Sequence, residues 1–420
     1  MTHSPNGGYQ PNGGYQQPRG GYQGGGNYPP PPGGGYPQPG GYQQTDTYPH
    51  PGGGDYEPHD YQSQGRRRAG RAKKWTIIVA SIAVLGLVTA GVLNYFKIGP
   101  FSDKGKPVSF GQDQAGGKNG GGANQQKKDS KVLMPTGPQA EFKNTSTLSD
   151  GTQVAVTTLD GKKSGFKGKV WVWAPKAYKD PKFKDHGFPV LIALPGGPGF
   201  PNNYWMDDGG LHLESSITKW YNEGKGKPFI LAMPVLNPKP DDGGLYWDGS
   251  DIPNQPKMGT WLTEDVPDLV KANFRTIKSR DGWAYMGSSS GAFAGMKAVL
   301  KHPDKFKAAI ASGPDIVPDS PLWKGFEKEK AANNPEVLAK DLIARKGPDV
   351  YLAFQYGSAE HSIIRTNVDK FIATYGNKGP VHTRLQVIQG GKHNAKTYIE
   401  GMDAGSMQWI SEHIEGPVAP

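Results

Sequence analysis

Cysteine is absent from the 420 residues. That excludes disulfides, thiolate metal sites and a cysteine nucleophile together. Zinc-ligand spacings, base-reading basic helices and RNA-binding aromatic motifs are missing as well, so the formal net charge of +10 does not point to nucleic acid. The basic residues gather beside one apolar run and in a lysine-rich linker. They read as topology and surface charge, with weak attraction to anionic lipid or wall polymer. Aliphatic residues are scarce through the first third, where the 61 glycines and 38 prolines concentrate. Such a segment cannot bury enough apolar surface to offset its ordering entropy. What remains is one globular domain of roughly 270 residues, ample for a large core.

The chain divides by composition. Residues 1–65 repeat a Pro-Asn-Gly-Gly-Tyr-Gln unit (Pro5–Gln10, then Pro11–Gln16) with later Gly-Gly-Tyr-Gln echoes. They read as a disordered tail whose spaced tyrosines allow weak self-association. Residues 66–97 hold a basic cluster (Arg66, Arg67, Arg68, Arg71, Lys73, Lys74) followed by the uncharged run 75–96. That run has the length of a bilayer span, with Trp75 at one end and Tyr95 and Phe96 at the other, as interfacial aromatics would be placed. A cleaved signal peptide would be shorter and nearer Met1, so the run reads as a retained anchor. The basic flank puts the tail in the cytoplasm and everything after Phe96 outside a single-pass cell-membrane protein. Residues 98–140, rich in Gly, Lys, Gln and Asn, read as a flexible tether. Residues 141–420 read as the domain.

Within the domain, Gln153–Thr158 and Lys169–Trp173 alternate with period two and predict an antiparallel hairpin at a sheet edge. Phe188–Leu194, Phe229–Val235, Phe306–Ala311, Val350–Gln355 and Val381–Val387 predict further strands. Helical spacing covers Leu213–Tyr221, Trp261–Phe274, Gly291–Lys301, Pro335–Arg345, Ile363–Thr374 and Ala395–His413. Alternating apolar strands and helices imply an α/β domain with a mostly parallel sheet covered on both faces.

One stretch organises this domain. Gly287-Ser288-Ser289-Ser290-Gly291 fits a nucleophile elbow, G-x-S-x-G, between an apolar strand and a helix. The central Ser289 must sit on a strained turn so that its hydroxyl projects above the sheet. Its neighbours two positions away must be nearly free of side chain. An elbow in this alternation predicts an α/β-hydrolase fold, with catalytic groups at the carboxyl ends of strands and the chain order serine, acid, histidine. His393, in a glycine loop between the last strand and last helix, is the candidate base. Glu360, after strand Val350–Gln355, is the candidate acid, with Asp315 as the alternative. Ser290 and either Gly196 or Gly197 supply the oxyanion-hole N–H groups, since prolines in Pro195–Gly199 donate none. Trp205, Tyr246 and Trp247 are candidates for lining an acyl or sugar pocket.

Several features in order carry a family resemblance: Val190–Leu194 with its glycine loop, Phe229–Val235, the Trp261–Asp265 helix start, Met286–Gly291, His302–Phe306, the Glu360 loop and the His393 loop. Residues from about Phe166 to His413 resemble the secreted esterase D and mycolyltransferase group of α/β hydrolases. The resemblance implies Ser289 as nucleophile, Glu360 as acid and His393 as base. It further implies a carboxylic-ester substrate, small-molecule or lipid and glycan, with hydrolysis or acyl transfer and no metal or cofactor. The mycolyltransferases carry an arginine in the early glycine loop. Here Pro198-Gly199-Phe200 stands in its place, which favours a simpler esterase over sugar acyl transfer. A hydrolase-like domain that only binds envelope glycan is the non-catalytic alternative.

Overall fold

The computed structural model describes residues 105–110, 130–206, 210–240 and 245–420. The tail, the expected span 75–96 and most of the tether lie outside the described residues. Among the described residues no helix is long and apolar enough to cross a membrane.

Ten strands form one sheet: β1 (Pro107–Val108), β2 (Phe142–Thr147), β3 (Gln153–Asp160), β4 (Lys167–Trp173), β5 (Val190–Leu194), β6 (Ile230–Pro234), β7 (Trp283–Ser288), β8 (Ala308–Ser312), β9 (Val350–Gly357) and β10 (Val381–Ile388). Their order is β1-β2-β3-β4-β6-β5-β7-β8-β9-β10. The first four strands pair antiparallel, and β4 joins β6 antiparallel. From β6 to β10 every pairing is parallel. This is an α/β-hydrolase-like sheet. β5 to β8 are buried along their whole length, which is why they read as unbroken apolar runs.

The hairpin β3–β4 does not close the sheet edge. β2 and then β1 extend it outward. The sequence of β2, FKNTST, exposes or half-exposes five of its six side chains, so it carries no apolar run and no clean alternation. The fold also reaches upstream of residue 141. Phe110 is buried against Phe142 and Phe274, with ring centroids 5.5 and 5.0 Å away. Val132–Leu133 pairs with Thr276–Ile277 in a separate two-stranded sheet. Parts of the expected tether therefore belong to the globular unit. Burying one phenylalanine contributes about 1.5–3 kcal/mol.

The helices are α1 (Leu213–Asn222), α2 (Val266–Asn273), α3 (Ser290–Lys301), α4 (Glu327–Ala331), α5 (Pro335–Ala344), α6 (Ser362–Tyr375), α7 (Ala395–Gly401) and α8 (Met407–His413). α3 packs on β7 and β8. Ten of its twelve residues are buried, so it is an interior helix rather than an amphipathic one. The helical run leading into α2 widens to a π-turn at Trp261–Asp265, one residue short of Pro267. Proline has no N–H for a carbonyl four residues back and its ring crowds that carbonyl, and a wide turn relieves both.

Candidate active site

The elbow lies where the sequence places it. β7 ends at Ser288, α3 begins at Ser290, and Ser289 between them has φ 51° and ψ −124°. This is a backbone conformation that side-chain-bearing residues rarely adopt and that persists only where the surroundings enforce it. The enforcement is visible. The Ser289 N–H donates to the carbonyl of Ser312, the last residue of β8, at 2.8 Å. A Cβ on Gly287 would stand 2.5 Å from the Gly291 backbone. A Cβ on Gly291 would stand 2.6 Å from the Leu194 carbonyl oxygen and closer still to that of Pro195. The two glycines of the motif are thus fixed by backbone-to-backbone approach.

The glycine loop after β5 lies against the serine. A Cβ on Gly196 would come within 3.1 Å of Ser289 Cβ. The Gly196 N–H, however, donates to the Tyr204 hydroxyl, which also shares a hydrogen bond with Ser288 Oγ. Ser290 Oγ donates to the Gly197 carbonyl at 3.0 Å, locking the loop to the start of α3. With Gly196 engaged by Tyr204, Gly197 is the candidate donor on this side of the site. The Ser290 N–H belongs to the first turn of α3, which has no intrahelical acceptor.

The acid and base loops are knit together at the carboxyl ends of β9 and β10. Ala359 N–H donates to Gly391 O at 2.9 Å, and Gly390 N–H to Ser358 Oγ at 2.8 Å. Glu360 is buried, its carboxylate wholly so. One oxygen accepts the Gly357 N–H at 2.8 Å and the other faces His393 Nδ1 at 2.9 Å. The base loop ends in a cap: Asn394 Oδ1 accepts the Thr397 N–H at 2.9 Å and starts α7. The two halves of the site meet at Gly313, which follows the Ser312 bonded to Ser289. A Cβ there would lie 2.9 Å from both Glu360 Oε2 and His393 Nδ1.

Asp315, after β8, is half-buried. Its carboxyl is pushed up to about 7, first by burial and then by the charge of Asp319, with His393 opposing. The remaining histidines after the elbow are committed elsewhere. His302 closes α3 and is held below its usual range chiefly by burial. His361 caps α6. His382 pairs with Asp349. His413 stacks on Tyr351 with centroids 3.9 Å apart.

The three aromatic candidates separate. Trp205 is fully buried, with its indole N–H on Leu194 O at 2.8 Å. Trp247 is 2 % exposed and donates to Gln255 Oε1 at 3.1 Å. Both are core pins that hold loops in place, and neither ring is open to a ligand. Tyr246 is half-buried, its carbonyl held by Ser320 Oγ. Two polar side chains at the site carry no sequence signal of their own. Tyr204 sits in a loop of mixed aromatics, and Tyr398 occupies an ordinary core-facing position of a helix. Among the described residues no cluster of metal-ligating side chains is found.

Comparison with known proteins bears on the family and the fold. The "Putative esterase" family model matches residues 167–411. An uncharacterized protein of Corynebacterium glutamicum is 24% identical over 372 residues, covering 82% of this chain and 77% of the relative. Esterase Rv1288 of Mycobacterium tuberculosis is 33% identical over 93 residues, covering 21% of this chain and 19% of that protein. Among solved structures, a ferulic acid esterase superposes with a TM-score of 0.50 at 19% identity over 63% of this chain and 99% of its own. An S-formylglutathione hydrolase of Agrobacterium tumefaciens does so with a TM-score of 0.50 at 17% identity, over 64% and 98%. At those identities the structures speak for the fold alone, whereas the family model spans more than half of the sequence and contains the elbow and both loops. The chain belongs to the esterase family.

Proposed function

We propose that this esterase-family protein is a serine hydrolase of carboxylic esters, working through Ser289, His393 and Glu360 and held outside the membrane by residues 75–96. The observation that carries the reading is the strained Ser289, bonded through Ser312 to the residue that abuts the Glu360–His393 pair. Ser289 Oγ attacks the ester carbonyl as His393 Nε2 takes its proton. Glu360 holds the Nδ1–H and stabilises the imidazolium that forms. The Gly197 and Ser290 N–H groups receive the developing oxyanion. His393 then returns the proton to the departing alcohol, and water resolves the acyl-enzyme by the same steps in reverse.

Hydrolysis is favoured over acyl transfer to a sugar because Pro198-Gly199-Phe200 offers no arginine to seat one. Of the three aromatic candidates only Tyr246 keeps part of its surface open, so it is the one we assign to the substrate pocket. Ser289→Ala should abolish turnover of short acyl p-nitrophenyl esters and leave the melting temperature near wild type. Undiminished turnover in that variant would end the proposal. For the location, the basic flank 66–74 and the uncharged run 75–96 support a cytoplasmic tail and an outer domain. Protease added to intact cells should digest the domain and spare the tail.

A further inference from the structure

Three polar atoms, not two, converge where the acid meets the base. The Tyr398 hydroxyl lies 2.8 Å from His393 Nδ1, the nitrogen that faces Glu360 Oε2. A Cβ on Gly313, whose φ of +54° already favours glycine, would collide with this hydroxyl and contact both other atoms. Tyr398 is 1 % exposed. Its place is fixed from behind: Gln355 Nε2, fully buried, donates to the Tyr398 carbonyl at 2.9 Å and to Ser312 Oγ at 2.7 Å. The strand pairing that positions Ser289 therefore also positions Tyr398.

The protons decide the roles. For His393 Nε2 to accept a proton, Nδ1 must carry one, so Nδ1 is a donor. The phenol cannot donate to it. The O–H therefore turns to the ionised Glu360, an acceptor-only group, and the phenol oxygen takes a second share of the Nδ1–H. Burial, then the nearby Glu360 charge, raise the phenol well above its ordinary range, so it stays a neutral donor.

We propose that Tyr398 is a positioning residue of the active site, whose O–H bond to Glu360 tempers the carboxylate and sets the basicity of His393. This rests on the esterase reading and adds a fourth member to its machinery. A carboxylate that already accepts a hydrogen bond is a weaker base, so it stabilises the imidazolium less. Without the phenol, His393 holds its proton to higher pH. The titratable groups around the pair are Glu360 after β9, Tyr398 on α7, Tyr204 after β5 and Asp315 after β8. Asp315 titrates near 7 and feels His393, so the test belongs in an Asp315→Asn background.

The readout is the rate at which a fluorophosphonate labels Ser289 in the full chain, measured from pH 5 to 9. Tyr398→Phe, which keeps the ring volume, should move the acid limb up by about half a pH unit or more. 3-Fluorotyrosine at position 398, a stronger donor, should move the limb down. Opposite displacements support the proposal. An unmoved limb in both variants, or a downward shift in Tyr398→Phe, overturns it. Should Tyr398→Phe fail to fold, the fluorotyrosine chain decides alone. If the wild-type chain takes no label at any pH, the esterase reading itself fails. If wild type labels and the Asp315→Asn parent does not, the acid is Asp315 and the proposal falls with Glu360. Both outcomes are distinct from a labelled chain whose limb does not respond.

Discussion

Replacing Glu360 by glutamine separates the two carboxylates that the sequence offers as the acid. The side chain keeps its size in a fully buried site but loses its charge. The charged hydrogen bond to His393 Nδ1, 2.9 Å long, is worth roughly 1.5–3 kcal/mol. At about 1.36 kcal/mol per decade its loss accounts for one to two decades of rate. A further loss comes from tautomer error. If the amide turns its NH2 toward Nδ1, the imidazole places its proton on Nε2 and no longer accepts from Ser289. Together these approach the roughly 10⁴-fold typical of a triad acid made neutral. We therefore expect Glu360→Gln to lower kcat/KM for a p-nitrophenyl ester by about two to four decades, with the fold intact by thermal melting. Asp315→Asn should leave kcat/KM at pH 8 within about threefold of wild type, because the wholly buried Glu360 carboxylate is the one that faces His393 Nδ1 at 2.9 Å. A Glu360→Gln chain within threefold of wild type, alongside an inactive Asp315→Asn chain, would refute the reasoning and reassign the acid.

Three further outcomes follow from the geometry. Gly291→Ala drives a methyl into the Leu194 and Pro195 carbonyls and should destabilise the domain by several kcal/mol, at or beyond the usual range for overpacking, read as a lost or sharply lowered melting temperature. The Asp315 carboxyl is raised in the folded state to about 7, so its stability contribution is full below the unfolded value near 4 and is lost as pH rises through 7. Asp315→Asn should accordingly gain up to about 4 kcal/mol over wild type at pH 8 and nothing at pH 4, by denaturant unfolding at the two pH values. A chain starting at residue 105 keeps Phe110 against Phe142 and Phe274. It should be about 1.5–3 kcal/mol more stable than one starting at 131, and equal unfolding midpoints would remove that contact from the account.

The readable parts of the chain are those where backbone sterics or burial on both faces leave few options. Gly287 and Gly291 are legible because no other residue fits against the backbone they touch. β5 to β8 are legible because full burial writes them as apolar runs. The order serine, acid, histidine then assigns Glu360 and His393 to loops that the structure brings within 2.9 Å of each other. What escaped has a physical reason in each case. β2 is polar after its first residue, the buried Phe142, and is flanked by strands on both sides, so beyond that ring its pairing rather than its side chains holds it. Phe110 stands among glycine and lysine, where composition masks one anchoring ring. Trp205 and Trp247 resemble pocket aromatics in sequence, yet their indole N–H groups find acceptors inside the core. Tyr204 and Tyr398 are ordinary aromatics by pattern. Only the folded chain places their hydroxyls on Gly196, Ser288 and His393.

The central claim is that Ser289 is an activated nucleophile. Its most direct test is to treat the full chain with a fluorophosphonate at neutral pH and map the modified residue by peptide mass spectrometry. The account predicts a single covalent adduct on Ser289, lost in His393→Ala. A folded chain that takes no label, or one labelled at another serine and indifferent to His393, would contradict it.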